Sequence, residues 1–162
     1  MKTARQDGAF GRPADKRVVV CGPPGAGKAT HVQQSRKPGD IVWDHDAIVA
    51  AMLGLEGHGR GKDLIPLVTA MRTTMLGWLE TNPTEQDVWV IVTDIEVAEK
   101  MVATIQGRLL ILDVEPDECM RRIRADASRT RSDEDSEAIV RSWWSRYTDW
   151  QKAQGAPEGV GA

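Results

Sequence analysis

The sequence predicts an α/β domain of three layers, a parallel sheet of about four strands with helices on both faces. Three observations predict it. Four short apolar runs, Val18–Cys21, Asp40–Trp43, Val88–Thr93 and Leu109–Val114, have the length and branched content of buried strands. Stretches of helical period fill the gaps, and strand alternating with helix implies parallel strands covered on both sides. The chain has 162 residues, 41% hydrophobic and 28% charged, which suits one domain able to bury a core. Ligands of such sheets gather at the carboxyl ends of the strands.

The elements follow in order. Residues 1–16 and 152–162 mix glycine, proline, alanine and charge without period, and read as flexible tails around a domain spanning 17–151. No repeat or low-complexity block interrupts that span. The first strand runs into a glycine-rich turn and then a helix. The clearest helical pattern is 63–80, where Leu64, Leu67, Val68, Met71, Met75, Trp78 and Leu79 recur on one face before "TNPT" stops it. Thr93 with Glu96 resembles a capping box for a helix through about 105, and Pro116 suits the first turn of one running to about 127. Ser132 with Asp135 opens the last helix. Its face of Ile139, Trp143, Tyr147 and Trp150 reads as core packing, not as a platform for stacking bases. Only about 11 residues follow that helix, which predicts a reduced core of four strands.

Composition excludes several classes. A formal net charge of -3 argues against coating nucleic acid through an overall positive field, so any such contact must be a local basic groove. Cys21 and Cys119 lie far apart in apolar surroundings and read as free buried thiols of a reducing, cytoplasmic setting. No apolar run approaches the roughly 20 residues of a membrane span. The polar start "MKTARQDGAFGRPADKR" lacks the apolar centre of a secretory signal, so neither export nor a membrane partner is expected.

The most specific motif is in "VVVCGPPGAGKATHV", residues 18–32. Gly22, Gly27 and Lys28 fit G-x-x-x-x-G-K between a valine-rich strand and a helix, the context a phosphate-binding loop requires. Glycines let such a loop curl until its backbone N–H groups converge on a phosphate, the helix start adds positive potential, and the lysine reaches the terminal phosphate. The bland alternative is a turn that binds nothing; strand, spacing and lysine together count against it. Ala29 departs from the motif, since the usual serine or threonine there gives its hydroxyl to Mg²⁺. Thr30 follows, but one residue along a helix rotates a side chain by about 100°. Mg²⁺ often keeps several waters, so loss of one hydroxyl should weaken the ion more than abolish it.

"GPPGAGKAT", "DIVWDHDAI" and "LLILDVEPDECMRRIRAD" together resemble P-loop kinases of the nucleotide and polynucleotide kinase type, in particular small AAA-like P-loop kinase proteins encoded by phages and prophages. The likeness covers roughly residues 17–147. It implies a P-loop NTPase fold, ATP or GTP with Mg²⁺ as cofactors, and a nucleotide or a 5′-hydroxyl nucleic-acid end as acceptor. No stable protein partner follows from it. Nucleotide contacts would come from Gly22, Pro23, Gly25, Ala26, Gly27, Lys28, Ala29 and Thr30, with Arg131 closing on them. Lys28, Asp46, Arg122 and Arg129 would be catalytic, Asp46 taking the proton of the attacking hydroxyl and the arginines neutralising the transferring group. Asp44, the second choice for that base, and Asp94 would reach the metal through water.

Each of these residues has a plainer role open to it. Asp44 and Asp46 can simply cap the helix entering "AIVAAML", and Asp94 can favour a helix dipole. His45 reads as structural or solvent-facing. The stretch "RRIRADASRTR", 121–131, holds five arginines and reads as a lid, although Asp117, Glu118 and Asp126 can balance some of them on a solvated face. In "GLEGHGRGKDL", 54–64, Arg60 and Lys62, with Arg72 beyond, can hold an acceptor phosphate or belong to an ordinary surface loop. Two departures bear on function. Polynucleotide kinases often carry an arginine three residues after the catalytic aspartate, where this chain has Val49, and the Asp-Gly-x-Pro-Arg run of adenylate-kinase relatives is replaced by "TDIEVAEK". A phosphotransferase and a non-catalytic nucleotide-binding switch therefore both remain as readings.

Overall fold

A computed structural model describes residues 16–54 and 61–155; the expected tails at 1–15 and 156–162, and most of the 54–64 segment, lie outside the described residues. Strand β1 (Arg17–Cys21) leads through the glycine loop to helix α1 (Lys28–Ser35) and strand β2 (Ile41–Trp43). Helix α2 (His45–Leu53) follows, then a 3-10 turn at Lys62–Leu64 and the long helix α3 (Ile65–Thr81). Strand β3 (Val88–Val92), helix α4 (Ile95–Ile105) and strand β4 (Arg108–Ile111) complete the sheet. Helices α5 (Pro116–Ala125) and α6 (Asp133–Gly155) close the domain, and α6 takes in residues 152–155, which the sequence reading had given to a tail.

The four strands pair in parallel in the order β2-β3-β1-β4. All five residues of β1 are buried because the strand has neighbours on both edges: Val19 lies against Val90 on one side and Leu109 on the other. One face, bearing Val19, Cys21, Val90 and Val92, packs on Val68 and Leu79 of α3, the Ile95–Ile105 face of α4, and Trp143 and Tyr147 of α6. The opposite face, bearing Val18, Val20 and Trp89, packs on Val32 of α1. Arg17 is buried where β1 begins, donating to the carbonyls of Leu79 (2.6 Å), Asn82 (2.8 Å) and Ile105 (3.1 Å). It thereby fastens the carboxyl ends of α3 and α4, where carbonyls lack helical partners and favour a cation.

Two local expectations change. Asp94, not Thr93, caps α4: its side chain accepts from Val97 N–H at 3.0 Å, while the Thr93 carbonyl takes the indole N–H of Trp143 at 2.7 Å. The apolar face of 63–80 is only partly core, with Val68 and Leu79 buried but Leu67, Met71 and Trp78 exposed. The helix shares its buried side with α4 and the core, and those three side chains stand outside it. Ser132 does cap α6, accepting from Asp135 N–H at 3.1 Å. The tryptophans of α6 serve packing, with Trp143 stacked on Tyr147 at 4.9 Å and Tyr147 on Trp150 at 5.9 Å.

Candidate functional site

The loop leaving the central strand curls over itself. Ala26 N–H donates to Pro23 C=O at 3.1 Å, and Gly25 and Gly27 adopt φ of 80° and 84°. Glycine is required at 25 for a second reason: a Cβ there would stand 2.6 Å from the Cys119 carbonyl of α5. Gly22, Pro23 and Ala26 form the buried back of the loop, while Gly25, Gly27, Lys28, Ala29 and Thr30 line a cavity of about 770 Å³. Pro24 lines it too, which the motif did not single out. Lys28 folds back onto its own loop, its Nζ donating to the carbonyls of Gly22 (2.7 Å) and Pro23 (2.9 Å). Burial lowers its pKa to about 8, and the nearby Arg129 adds to the fall, against opposing pulls from Cys21, Cys119 and Asp46. The thiol of Cys21 beneath the loop is pushed up to about 11 by burial and donates to Thr93 C=O at 3.4 Å.

The end of β2 supplies the carboxylates. Asp44 caps α2, one oxygen accepting from the N–H of Asp46 (3.0 Å) and of Ala47 (3.4 Å), so its plainer role is present. Asp44, His45 and Asp46 all line the same cavity as Lys28, so the cap does not remove them from it. Val49 is buried, with its methyl 2.6 Å from where a Cβ on Gly61 would stand, and an arginine has no room at that position.

The basic segment divides in two. Arg121, Arg122 and Arg124 belong to α5; Arg129 and Arg131 belong to the loop after it. Glu118 takes Arg121 and Arg122 at 2.7 and 2.6 Å, which lowers its pKa to about 2, and Arg124 pairs with Asp133 at 3.0 Å. Arg122 is nonetheless fixed toward the loop, donating to Ala26 C=O at 3.1 Å and Gly25 C=O at 3.5 Å. Arg129 pairs with Asp126 at 3.4 Å. Arg122, Arg129 and Arg131 line the cavity; Arg121 and Arg124 do not.

Asp94 stands apart from that lining. One oxygen caps α4 and the other takes Arg146 of α6 at 2.7 Å. Burial works against its charge, yet the Val97 N–H and Arg146 outweigh it and hold the carboxyl below its usual pKa. Arg146 is 52 residues away, and nothing local in the sequence announces the pair. Lys62 and Arg72 line the same cavity, whereas Arg60 lies outside the described residues. Asp126 and Asp135 also line it and were missed as site residues, since each reads in sequence as an ordinary helix-end acid. The lining carries six cationic side chains against four carboxylates, a locally positive hollow in a chain of net charge -3. No cluster of three or more histidine, cysteine or acidic side chains suited to a metal ion occurs among the described residues. No described helix is long and apolar enough to cross a membrane.

The chain matches no protein-family model and no curated protein sequence. Solved structures do match it. Shikimate kinase from Bacteroides thetaiotaomicron superposes with a TM-score of 0.56 at 18% identity, over 82% of this chain and 80% of that one. A chain of the Pnkp1/Rnl/Hen1 RNA repair complex superposes with a TM-score of 0.61 at 15% identity, over 92% of this chain and 49% of that one. This chain thus spans about half the length of that second structure. At such identities the likeness is one of fold, and together with the four-stranded parallel sheet and its surrounding helices it shows a P-loop kinase fold.

Proposed function

We propose that this chain is an ATP-dependent phosphotransferase acting on a nucleotide or on a polynucleotide end. The observation that carries the reading is the single 770 Å³ cavity shared by Lys28, Asp46, Arg122, Arg129 and Arg131, a phosphate loop with a base and cations on one hollow. The loop amides and Lys28 would hold the triphosphate, and Arg131 would close over it. Asp46 would accept the proton of the attacking hydroxyl, while Arg122 and Arg129 offset charge on the phosphoryl group as it moves. Lys62 and Arg72, which line the same hollow, would orient an anionic acceptor.

Magnesium fits this donor set in part: Ala29 offers no ligand, but Asp44 and Asp46 line the hollow and would hold the ion through water. The ion would supply neutralising charge to the phosphates. A polynucleotide-end acceptor is in keeping with the resemblance to an RNA repair chain, and a small hydroxylated acceptor with the resemblance to shikimate kinase. We take the first, because the sequence motifs point to nucleotide and polynucleotide kinases. Ala29 and Val49 favour a second reading, a nucleotide-binding switch that holds ATP or GTP without productive transfer.

Incubation with γ-labelled ATP and Mg²⁺, offering 5′-hydroxyl DNA, 5′-hydroxyl RNA and a panel of nucleoside monophosphates, separates the two. Transfer to one acceptor class that is lost in Asp46→Asn supports the enzyme. Tight ATP binding by calorimetry with no transfer to any acceptor supports the switch, and no binding of any nucleoside triphosphate overturns both.

A further inference from the structure

The end of β3 lies between the phosphate loop and the carboxylates that follow β2. The strand order β2-β3-β1-β4 puts β3 between the two strands that carry them. On one edge its last pair is Val92 with Cys21, and Gly22 then opens the loop; on the other edge Val90 pairs with Trp43, and Asp44 follows. Adjacent strands are about 4.8 Å apart, so the loop and Asp44 leave the sheet about 10 Å apart, with the end of β3 midway. Ile91, Val92 and Thr93 line the hollow from that strand, and of the three Thr93 alone has a polar side chain.

Thr93 is held in place without using that side chain. Its carbonyl accepts from the indole N–H of Trp143 at 2.7 Å and from the thiol of Cys21 at 3.4 Å, which ties the residue to α6 and to β1. Asp94 performs the helix capping expected of Thr93, and its other oxygen is taken by Arg146. The Thr93 hydroxyl makes no hydrogen bond among the described residues, and Thr93 is exposed where it lines the hollow. One strand over, Lys28 Nζ rests on the carbonyls of Gly22 and Pro23 at the start of the loop.

We propose that the Thr93 hydroxyl binds the outermost phosphate of a nucleoside triphosphate directly, so that Thr93 distinguishes a triphosphate from a diphosphate. Position is the first argument. A phosphoryl group held by Lys28 and transferred toward Asp46 crosses the gap beside Thr93. Chemistry is the second. A cation in that gap would pair with Asp44 or Asp46, and a further carboxylate would repel the phosphate. A neutral hydroxyl does neither; it donates one hydrogen bond to a phosphate oxygen and needs no metal between them. Because the backbone of Thr93 is already pinned, little freedom is lost when the bond forms. The inference rests on the phosphate-loop part of the proposed function and is independent of the acceptor and of whether transfer follows.

Calorimetry of the full chain with ADP and with a non-hydrolysable ATP analogue, each in Mg²⁺ and in EDTA, tests it. Thr93→Val keeps the branched shape and both bonds to the carbonyl but removes the hydroxyl. It should weaken the ATP analogue about tenfold, the effect of one hydrogen bond to a charged group, and leave ADP within about twofold, with or without Mg²⁺. Thr93→Ser should bind both nucleotides as the parent does, and the unfolding midpoint of Thr93→Val should match that of the parent. Equal affinities of parent and Thr93→Val for the ATP analogue overturn the assignment and leave the phosphate loop standing. Equal losses for both nucleotides overturn it as well, since they mark a structural role. A loss seen only with Mg²⁺ does the same, by moving the hydroxyl to the water shell of the ion. A parent chain that binds neither nucleotide overturns the phosphate-loop reading and this inference with it.

Discussion

Raising pH should separate nucleotide binding from stability through one side chain, Lys28. In the free protein its ammonium is buried against two loop carbonyls and titrates at about 8, against an ordinary 10.5. A bound triphosphate would return the pKa toward or above the ordinary value, so only the protonated fraction of the free protein is ready to bind. That fraction falls from about three quarters at pH 7.5 to about one tenth at pH 9, which weakens binding roughly eightfold, or about 1.2 kcal/mol. Binding at pH 9 should take up nearly one proton. Stability moves the other way. The lysine pKa is depressed in the fold, so the cost of burying its charge is present below about pH 8 and is relieved as pH rises toward 10.5. Calorimetry with a non-hydrolysable ATP analogue, in buffers of different ionisation enthalpy, reads affinity and proton uptake together. Affinity that stays flat from pH 7.5 to 9, or that falls equally in Lys28→Met, refutes the reasoning.

Three further outcomes are expected. Ala29→Ser should raise turnover most at limiting Mg²⁺, by restoring a hydroxyl at the edge of the hollow; equal rates for variant and parent across the metal titration would dismiss that role for position 29. Arg17→Met should lower unfolding stability in urea by about 3 kcal/mol, because two buried carbonyls and one half-buried carbonyl lose a charged donor, and a loss under about 1 kcal/mol would contradict the assignment. Asp94→Asn should keep the helix cap while losing the ion pair to Arg146. The stability that the depressed carboxyl contributes is present above about pH 4 and lost as pH falls through its lower folded pKa, so the variant should show a shallower acid transition and unchanged turnover. Acid unfolding followed by fluorescence, with a kinetic assay at neutral pH, checks both parts; a collapse in turnover would return Asp94 to the metal.

The sheet and the phosphate loop were legible in the sequence because both are written locally. Valine-rich runs of four to six residues and glycines at fixed offsets report their own backbone needs, and β1 with Gly25 and Gly27 shows them met. What was not legible depends on partners distant in the chain. Arg17 reads as the first residue of the domain with no stated role until Leu79, Asn82 and Ile105 converge on it. Asp94 reads in sequence either as a metal-reaching acid or as a helix-start acid, and neither reading announces its pair with Arg146 of α6. The helix over 63–80 shows an apolar period whose partner the period does not name, and only the fold reveals that Leu67, Met71 and Trp78 of that face stand outside the core while Val68 and Leu79 lie within it. Arg122 illustrates a middle case: its charge was noted, but its grip on Ala26 and Gly25 carbonyls follows from how closely α5 approaches the loop, a distance set by the absent side chain of Gly25.

The departures from a complete metal site concern neighbouring groups and bear on one another. A P-loop protein commonly holds its ion with the hydroxyl after the lysine and the acid at the end of a central strand. Here the first is Ala29, and the second, Asp94, is committed to a helix cap and to Arg146. The carboxylates that still line the hollow are Asp44 and Asp46, from the end of β2, and Asp126 and Asp135, which flank the segment after α5. On the proposed function, an ion brought in with a triphosphate would draw on Asp44 or Asp46, and Asp46 is also the proposed base. The two demands on Asp46 compete, because a carboxylate that shares an ion is a weaker proton acceptor. Under the same proposal, charge neutralisation on the phosphates would fall to Lys28, Arg122, Arg129 and Arg131, which would give the arginine-rich segment a reason to exist in a chain that is acidic as a whole.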